Sequence, residues 1–405
     1  MAGVIRGSHF LPSTGESALR GGIMPEKKLS VAMLGSRGIP ARYGGSETAI
    51  EEIGERLVKG DYRIVVYCRR HNSQTEAREY RGMERVALPS IHRKNWDTPS
   101  HTFLSLVHLL CKEDVDVVHF HGVGNSIFLP FLKLTSLRTV VTVDGPDWER
   151  PKWGWLARRV LKLSAWLTAR MADTVITDNL VSQKLYRKDF ARATEYIPYG
   201  AYAMDEKESN ELEKFGLVKD EYLLYVGRLI PDKGVHTLIK AFEKVRTSKK
   251  LALVGGNPYF AEYIRELKST PDPRIRFLGY IYDRPYRQLC GNAYLYVHPL
   301  IVDGTSPQLL QAMGYGNCIV ASDLPEINDV VGDSALRFPC GNAEKLRCVL
   351  QELVDSPTTV QIYKKKAQER VRGLFNWEGI AAQHDRVYRG SLSRGNGHYT
   401  FRGTN

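Results

Sequence analysis

Short apolar segments alternate with segments of helical periodicity along the first half of the chain. After the first apolar run, Ser46 is a suitable N-cap, and Ile50, Ile53 and Leu57 fall on one face of a helix. Strand, loop and helix in this order are typical of a parallel sheet with helical crossovers. The pattern predicts strands at 29–34, 62–67, 115–120, 139–143 and 174–177.

The same order of elements begins again in the second half. It predicts helices at 237–245 and 307–313 among strands at 222–226, 251–254, 275–278, 295–298 and 318–321. The fold class is therefore expected to be α/β, with two Rossmann-like domains that face each other across a cleft. Open parallel sheets bind their ligands at the carboxyl ends of their strands, so the cleft is the expected site.

Proline and glycine interrupt both regular periods at 197–200, where we place the connection between the domains. Residues 1–27 are rich in glycine and serine and are expected to form a disordered extension. An N-terminal domain is expected at 28–198 and a C-terminal domain at 199–375. At 376–405 we expect a helix that returns to the N-terminal domain, followed by a tail.

Composition excludes only a few classes of function. The 405 residues carry a net charge of +12, which suits anionic partners, but no nucleic-acid-binding signature accompanies the charge. The six cysteines form no C-x-x-C pair, which argues against a zinc site or a disulfide framework. No apolar run approaches the roughly 18 residues of a spanning helix, and no signal peptide is recognisable. A cytoplasmic protein is expected.

Two motifs in the second half carry candidate chemistry. The loop 227–234 follows a predicted strand and places Arg228 and Lys233 where phosphate-binding loops normally lie. Further along, Ser306 and Pro307 have the pattern of an N-cap followed by proline at the first helical position. Such a helix start offers free N–H groups and a positive dipole end to an anion. The alternatives are a solvated loop and an ordinary capped helix.

Together these motifs resemble the C-terminal half of family 4 glycosyltransferases, which are retaining enzymes of the GT-B fold. In that family a Gly-Arg-x5-Lys-Gly-like loop binds the donor diphosphate, and a Glu-x7-Glu element contacts the donor sugar and ribose. The segment 35–48, Gly-Ser-Arg-Gly-Ile-Pro-Ala-Arg-Tyr-Gly-Gly-Ser-Glu-Thr, resembles the opening of a subgroup that contains rhamnosyltransferases of cell-surface polysaccharide assembly. The resemblance spans roughly residues 28 to 388.

The resemblance implies roles for individual residues, in an acceptor-side N-terminal domain and a nucleotide-sugar-binding C-terminal domain. The donor diphosphate would be bound by Arg228, Lys233, Gly44, Gly45, Ser306 and Pro307. The two slots of the acidic pair hold Asp303 and Gln311 instead of glutamates, so the contacts to the donor sugar depart from the family pattern.

Further candidates follow predicted strands of the N-terminal domain. His121 ends the strand at 115–120, and alternation points it the same way as His119. The resemblance places His121 near the transferred sugar, whereas the alternative is a packed histidine. Asp144 and Asp147 are candidates for the acceptor side, with loop capping as the alternative.

A basic, tryptophan-rich amphipathic helix is predicted at 153–171. Leu156, Val160, Leu163, Leu167 and Met171 form its apolar stripe, and Arg158, Arg159, Lys162 and Arg170 supply its positive charge. The stripe fits either core packing or contact with an anionic membrane surface.

The expected activity is retaining transfer of a hexosyl or rhamnosyl group from a nucleoside-diphosphate sugar to a saccharide or lipid-linked saccharide acceptor. No metal and no cofactor are expected, and the protein is expected to be cytoplasmic or peripheral on the inner face of the cell membrane. The alternatives are a nucleotide-sugar epimerase or phosphorylase on the same fold, and a non-catalytic nucleotide-sugar-binding homologue. A dehydrogenase is disfavoured because neither half has G-x-G-x-x-G after its first strand.

Overall fold

The computed structural model describes residues 28–41, 45–73, 75–93, 96–149, 153–206, 208–301 and 306–393. The expected extension at 1–27 and the predicted site residues Gly44 and Asp303 lie outside these ranges. None of the helices in the described part of the chain combines the length and the apolar composition needed to cross a bilayer.

The first sheet lies in the N-terminal half and has the strand order β3-β4-β2-β1-β5-β6-β7-β8. Its strands are β1 (Leu29–Leu34), β2 (Tyr62–Arg69), β3 (Glu79–Tyr80), β4 (Met83–Leu88), β5 (Val117–His121), β6 (Arg138–Val143), β7 (Thr174–Thr177) and β8 (Glu195–Tyr196). The crossover helices are α1 (Gly45–Lys59), α2 (Asp97–Lys112), α3 (Leu129–Leu132), α4 (Trp155–Met171) and α5 (Leu180–Phe190). β3 pairs antiparallel with β4, whereas β1, β2 and β5 pair in parallel at the centre.

The second sheet has the order β11-β10-β9-β12-β13-β14, and its recorded pairings are parallel. Its strands are β9 (Tyr222–Val226), β10 (Lys250–Val254), β11 (Ile275–Gly279), β12 (Leu295–His298), β13 (Cys318–Ser322) and β14 (Ala335–Phe338). Its helices are α6 (Val235–Phe242), α7 (Ala261–Lys268), α8 (Asp283–Gly291), α9 (Pro307–Gly314), α10 (Pro325–Val331), α11 (Ala343–Asp355) and α12 (Pro357–Leu374). The prediction of an α/β protein with two Rossmann-like domains is confirmed.

The central strands are largely apolar because helices cover both faces of each sheet. β1, for example, is buried along almost its whole length, and the strand prediction there was correct to the residue. The sequence reading missed β3, β4, β8 and β14. β3 and β8 have two residues each, and in β4 buried and partly exposed positions alternate, so these segments lack a continuous apolar run.

The last helix, α13 (Trp377–Ser393), packs against the first sheet rather than the second. Trp377, Ile380 and Tyr388 are buried in the same core as residues of β1 and α1. The chain therefore passes between the domains twice. The two passages lie side by side, because the Ala201 amide donates a hydrogen bond to the Phe375 carbonyl (2.7 Å).

Helix α4 buries a different face from its apolar stripe. Small and polar side chains face inward, and Thr168 Oγ1 lies 2.7 Å from Ser126 Oγ. Leu156, Val160 and Leu163 are exposed, although Leu167 is buried. Core packing is therefore the wrong interpretation for most of the predicted stripe.

Candidate functional site

The loop after β1 lies directly against the carboxyl end of β5. Gly35 has a positive φ of 95°, and a Cβ built there would lie 2.5 Å from the His121 carbonyl oxygen. The same oxygen accepts a hydrogen bond of 2.6 Å from Asn125 Nδ2. Gly35 thus provides a backbone conformation and a close approach that a larger residue would not tolerate. The two loops form one surface at the carboxyl edge of the first sheet.

His121 stands at this edge with an unsatisfied nitrogen. Its ring centroid is 4.2 Å from that of His119, so the predicted common orientation of the two rings is confirmed. Its Nε2 atom is buried and has no hydrogen-bond partner among the described residues. Burial, followed by the nearby His384 of α13, lowers the pKa of His121 to about 3. The imidazole is therefore neutral at physiological pH.

His119 is held rigidly behind His121. Its Nδ1 lies 2.7 Å from Tyr388 Oη, and its Nε2 lies 2.8 Å from Thr142 Oγ1. Both ring nitrogens are thereby satisfied, and α13 supports the His121 side of the cleft. This is the behaviour of a structural histidine.

The two predicted acceptor-side aspartates have different surroundings. Asp144 follows β6 and accepts a hydrogen bond of 3.2 Å from Tyr199 Oη, which reaches over from the passage between the domains. Burial, followed by Asp144, raises the pKa of Tyr199 well above its usual value, so Tyr199 is a hydrogen-bond donor here. Asp147 lies in a 3₁₀ turn near Tyr186. Burial raises the pKa of Tyr186, and the negative charge of Asp147 raises it further.

In the C-terminal domain, the basic loop is fixed at its base. Arg228 is exposed just after β9, and Lys233 is partly buried at the end of a 3₁₀ turn. Gly234 follows with a φ of 67°, and a Cβ there would lie 1.8 Å from the Pro299 carbonyl oxygen. The Ile301 amide also donates a hydrogen bond of 2.9 Å to the Asp232 carbonyl. The loop is therefore pinned to the segment that follows β12.

Helix α9 begins as predicted, with Ser306 at the N-cap position and Pro307 at the first helical position. The Ser306 hydroxyl does not cap the helix backbone; it donates to Gln308 Oε1 at 3.2 Å instead. Leu309, Leu310 and Met313 are buried, as expected for the core-facing side. Pro307 has no N–H, and the Leu309 and Leu310 amides donate to the Ser306 carbonyl at 3.0 and 3.3 Å. The start of α9 therefore contributes mainly its positive dipole end.

Gln311, in the second slot of the acidic pair, is hydrogen-bonded within the domain. Its Oε1 accepts a hydrogen bond of 2.9 Å from Tyr286 Oη. This side-chain carbonyl oxygen therefore already has a partner on the neighbouring helix α8.

The two domains meet where helices α1 and α9 begin. A Cβ on Gly45, the first residue of α1, would lie 2.5 Å from Cγ of Pro307, the first residue of α9. Two helix N-terminal ends therefore come together across the cleft, and both present positive dipole ends. The structure brings together Gly45, Ser306 and Pro307 at this point.

Sequence reasoning missed His298 and Tyr199. His298 ends β12 and is 2% exposed, and neither of its ring nitrogens has a partner in the described structure. Burial, followed by the charge of Lys233, lowers the pKa of His298 to about 3. The signal was available, because His298 ends a strand just as His121 does. Tyr199 gave no such signal, since it lies in the irregular connection.

Comparison with protein families divides the chain in two. Residues 220–356 match the family described as "Glycosyl transferases group 1", and residues 28–202 match a domain of unknown function, DUF1972. Over 186 residues the chain is 27% identical to O-antigen chain mannosyltransferase B of Escherichia coli. That match covers 44% of this chain and 48% of the relative, so it spans about half the length of either protein.

Solved structures match nearly the whole chain. Sucrose-phosphate synthase from Thermosynechococcus elongatus superposes with a TM-score of 0.77 at 21% identity, over 91% of this chain and all of that one (100%). The Anabaena protein Alr3699/HepE, solved in complex with UDP-glucose, superposes with a TM-score of 0.71 at 16% identity and covers 91% and 100% of the two chains. At these identities the likeness concerns the fold, which is GT-B.

Proposed function

Because the chain has the GT-B fold and its C-terminal domain matches the group 1 glycosyl transferases, we propose that it is a retaining glycosyltransferase. It transfers a hexosyl or rhamnosyl group from a nucleoside-diphosphate sugar to a glycan or lipid-linked saccharide. The observation that carries the proposal is the approach of Gly45 to Pro307, which puts two helix N-terminal ends at one point of the cleft. A diphosphate is the ligand that such an arrangement favours.

The basic loop complements these helix ends. Arg228 is exposed and can form two parallel hydrogen bonds to phosphate oxygens, while Lys233 adds a compact positive charge beside the exit of β12. When the bond from the anomeric carbon to the phosphate breaks, negative charge accumulates on the departing diphosphate. Cations and N–H groups that are already in place stabilise this charge without reorganisation.

The acceptor approaches from the N-terminal domain in this proposal. Its hydroxyl oxygen forms the new bond to the anomeric carbon on the face that the phosphate leaves, and its proton passes to the leaving phosphate oxygen. The neutral His121 supplies a hydrogen bond to the transferred sugar, and Asp144 binds an acceptor hydroxyl. The products are the glycoside with its configuration retained and the nucleoside diphosphate.

An exposed apolar face supports an acceptor that is anchored in lipid. α2, α3 and α4 all flank the 3₁₀ segment Val123–Phe128. The exposed large apolar side chains of these three helices are here called the apolar face. They are Phe103, Leu104, Val107 and Leu110 of α2, Phe131 of α3, and Trp155, Leu156, Val160, Leu163 and Trp166 of α4. Monomeric proteins rarely expose such a set without a partner.

The charges around the apolar face indicate an anionic bilayer as the partner. Arg158, Arg159, Lys162 and Arg170 are exposed on α4, and α4 contains no acidic residue. Basic side chains beside exposed tryptophan and leucine are typical of a surface that lies in the interfacial region of a membrane. We therefore propose peripheral attachment at the inner face of the cell membrane, with the cleft of the enzyme close to lipid-linked acceptors.

The decisive experiment measures turnover. The full-length protein is incubated with UDP-, GDP- and dTDP-sugars in turn, with and without saccharide acceptors, and the released nucleoside diphosphate is quantified. Acceptor-stimulated release together with a product of retained anomeric configuration by NMR is the expected result. Sugar interconversion without release would indicate an epimerase, phosphate-dependent cleavage of a glycan would indicate a phosphorylase, and binding without turnover would indicate a non-catalytic homologue.

A further inference from the structure

His298 is a buried imidazole at the carboxyl end of β12. Only 2% of it is exposed, and both Nδ1 and Nε2 lack hydrogen-bond partners among the described residues. Buried polar groups are almost always hydrogen-bonded, because an unpaired one keeps its desolvation cost without compensation. A ligand that supplies the missing bond would remove this cost.

The position of His298 indicates where that ligand lies. Its ring shares a face of β12 with Tyr296, at a centroid distance of 6.1 Å and an interplanar angle of 25°. Tyr296 Oη in turn donates a hydrogen bond of 3.1 Å to the carbonyl of Val226, the last residue of β9. His298 lies two residues further along β12 towards its carboxyl end. It therefore stands at the base of the loop 227–234, which contains Arg228.

Lys233 approaches the same place from the other end of that loop. Its charge acts on the His298 ring, and Gly234 packs on the carbonyl of Pro299, the residue after His298. An uncharged imidazole beside a lysine offers one N–H donor and one lone pair. It can donate to a phosphate oxygen that Lys233 attracts without adding a second buried positive charge.

We propose that His298 binds the donor diphosphate, donating a ring N–H to a phosphate oxygen next to Lys233. The inference rests on the proposed function, and it adds a residue from the end of β12 to the basic loop and the two helix ends. The diphosphate is then bound by a side chain at the end of strand β12 as well as by the basic loop and the helix ends. Because the imidazole is buried and stacked beside Tyr296, it fixes the position of the phosphate along the cleft.

The test measures the affinity of UDP, GDP, dTDP and inorganic pyrophosphate by calorimetry, each with the full-length protein. His298→Phe removes both nitrogens, and His298→Asn keeps an N–H donor on a shorter side chain. We expect His298→Phe to weaken the best-bound nucleotide about tenfold to a hundredfold, the effect of losing a hydrogen bond to a charged group. His298→Asn should lose less. His236→Gln is the matched control, since His236 is bonded to Tyr263 at 2.9 Å on the α6–α7 side.

The variant Lys233→Ala distinguishes failure of the His298 inference from failure of the proposed function. One outcome would overturn the inference and leave the proposed function standing: Lys233→Ala weakens nucleotide binding, whereas His298→Phe binds nucleotide within twofold of the parent protein. If neither variant weakens binding, the diphosphate lies elsewhere and the inference is wrong. If none of the four probes binds the parent protein, the proposed function is wrong as well. Should His298→Phe fail to fold, ¹⁵N shifts of the histidine rings in the parent protein decide: His298 must shift on saturation with nucleotide, and an unchanged His298 resonance contradicts the inference.

Discussion

A Cβ on Gly45 would lie 2.5 Å from Cγ of Pro307, so the N-terminal ends of α1 and α9 meet across the cleft in van der Waals contact. Distances below about 3 Å are not tolerated between carbon atoms, and the proline ring cannot rotate away. The contact joins the two domains at the proposed donor site. The space between Gly45 and Pro307 therefore accommodates the hydrogen atom of glycine but no side-chain carbon.

Gly45→Ala is expected to force the domains apart at this point. Glycosyl transfer should fall at least about tenfold, because displacements near 1 Å at reacting groups have effects of this order. The melting temperature should change little, since each domain keeps its own core. Steady-state kinetics and thermal denaturation measure the two effects. Gly373→Ala is the control, as a Cβ there meets nothing within 4 Å, and equal activity of both variants would contradict the prediction.

Arg228→Ala and Lys233→Ala should each weaken the binding of a nucleoside diphosphate. Each variant loses a charge-assisted contact that contributes about 1.5–3 kcal/mol, or roughly tenfold to over a hundredfold in Kd. Calorimetric titration measures the effect, with circular dichroism as the folding control. Unchanged affinity in both folded variants would show that the diphosphate lies elsewhere.

Activity should persist in excess EDTA, because the proposed mechanism assigns stabilisation of the departing diphosphate to the cations of the basic loop and to the helix ends rather than to a divalent metal. Nucleotide release is measured before and after chelation, with a metal-dependent enzyme treated in parallel. A complete loss that Mg²⁺ restores would contradict the prediction.

Neutralising Arg158, Arg159 and Lys162 on α4 should detach the protein from anionic vesicles. Each cation near an anionic surface contributes about 1 kcal/mol, so the triple glutamine variant should partition about two orders of magnitude less. Sedimentation with phosphatidylglycerol vesicles at low and high salt measures it. The matched control removes three positive charges from α12, at Lys365, Lys366 and Arg372. Equal losses in both variants would point to net charge rather than to the apolar face.

Stability should decrease as the pH falls below about 6.5. The pKa values of His121 and His298 are lowered to about 3, and those of His101 and His384 to about 4, mainly by burial. The unfolded chain takes up these protons near pH 6.5, whereas the folded chain takes them up only near pH 3 to 4. Each histidine therefore costs about 2 kcal/mol of folding free energy at pH 5.

Urea unfolding followed from about pH 7.5 to about pH 5 measures this loss. His384→Leu removes one of the groups, so its stability should depend less steeply on pH than that of the parent protein. The same slope in both proteins would show that His384 is protonated equally in the folded and unfolded chains.

Local pattern was sufficient for several central strands and for the start of α9. It was wrong for two other helix starts: α1 begins at Gly45, so Ser46 lies inside the helix and is not its N-cap, and α6 begins at Val235 rather than at 237. β1, β7, β9 and β12 were predicted with their observed bounds, and Pro307 was correctly placed at the start of α9. These features depend on neighbours in sequence: an unbroken apolar run is buried on both sides, and proline fits only the first turn of a helix. The two-domain α/β architecture followed from their alternation.

Tertiary structure alone decided which elements meet. Periodicity identified an apolar stripe on α4 but not its direction, because small residues such as Ser164 and Ala165 pack more closely on the 3₁₀ segment than leucine would. Likewise, nothing near Gly45 in sequence indicates that Pro307 will press against it, and His298 became a candidate only when its two nitrogens proved to be buried without partners. Contacts between residues far apart in sequence depend on how two finished domains pack, which no local period encodes.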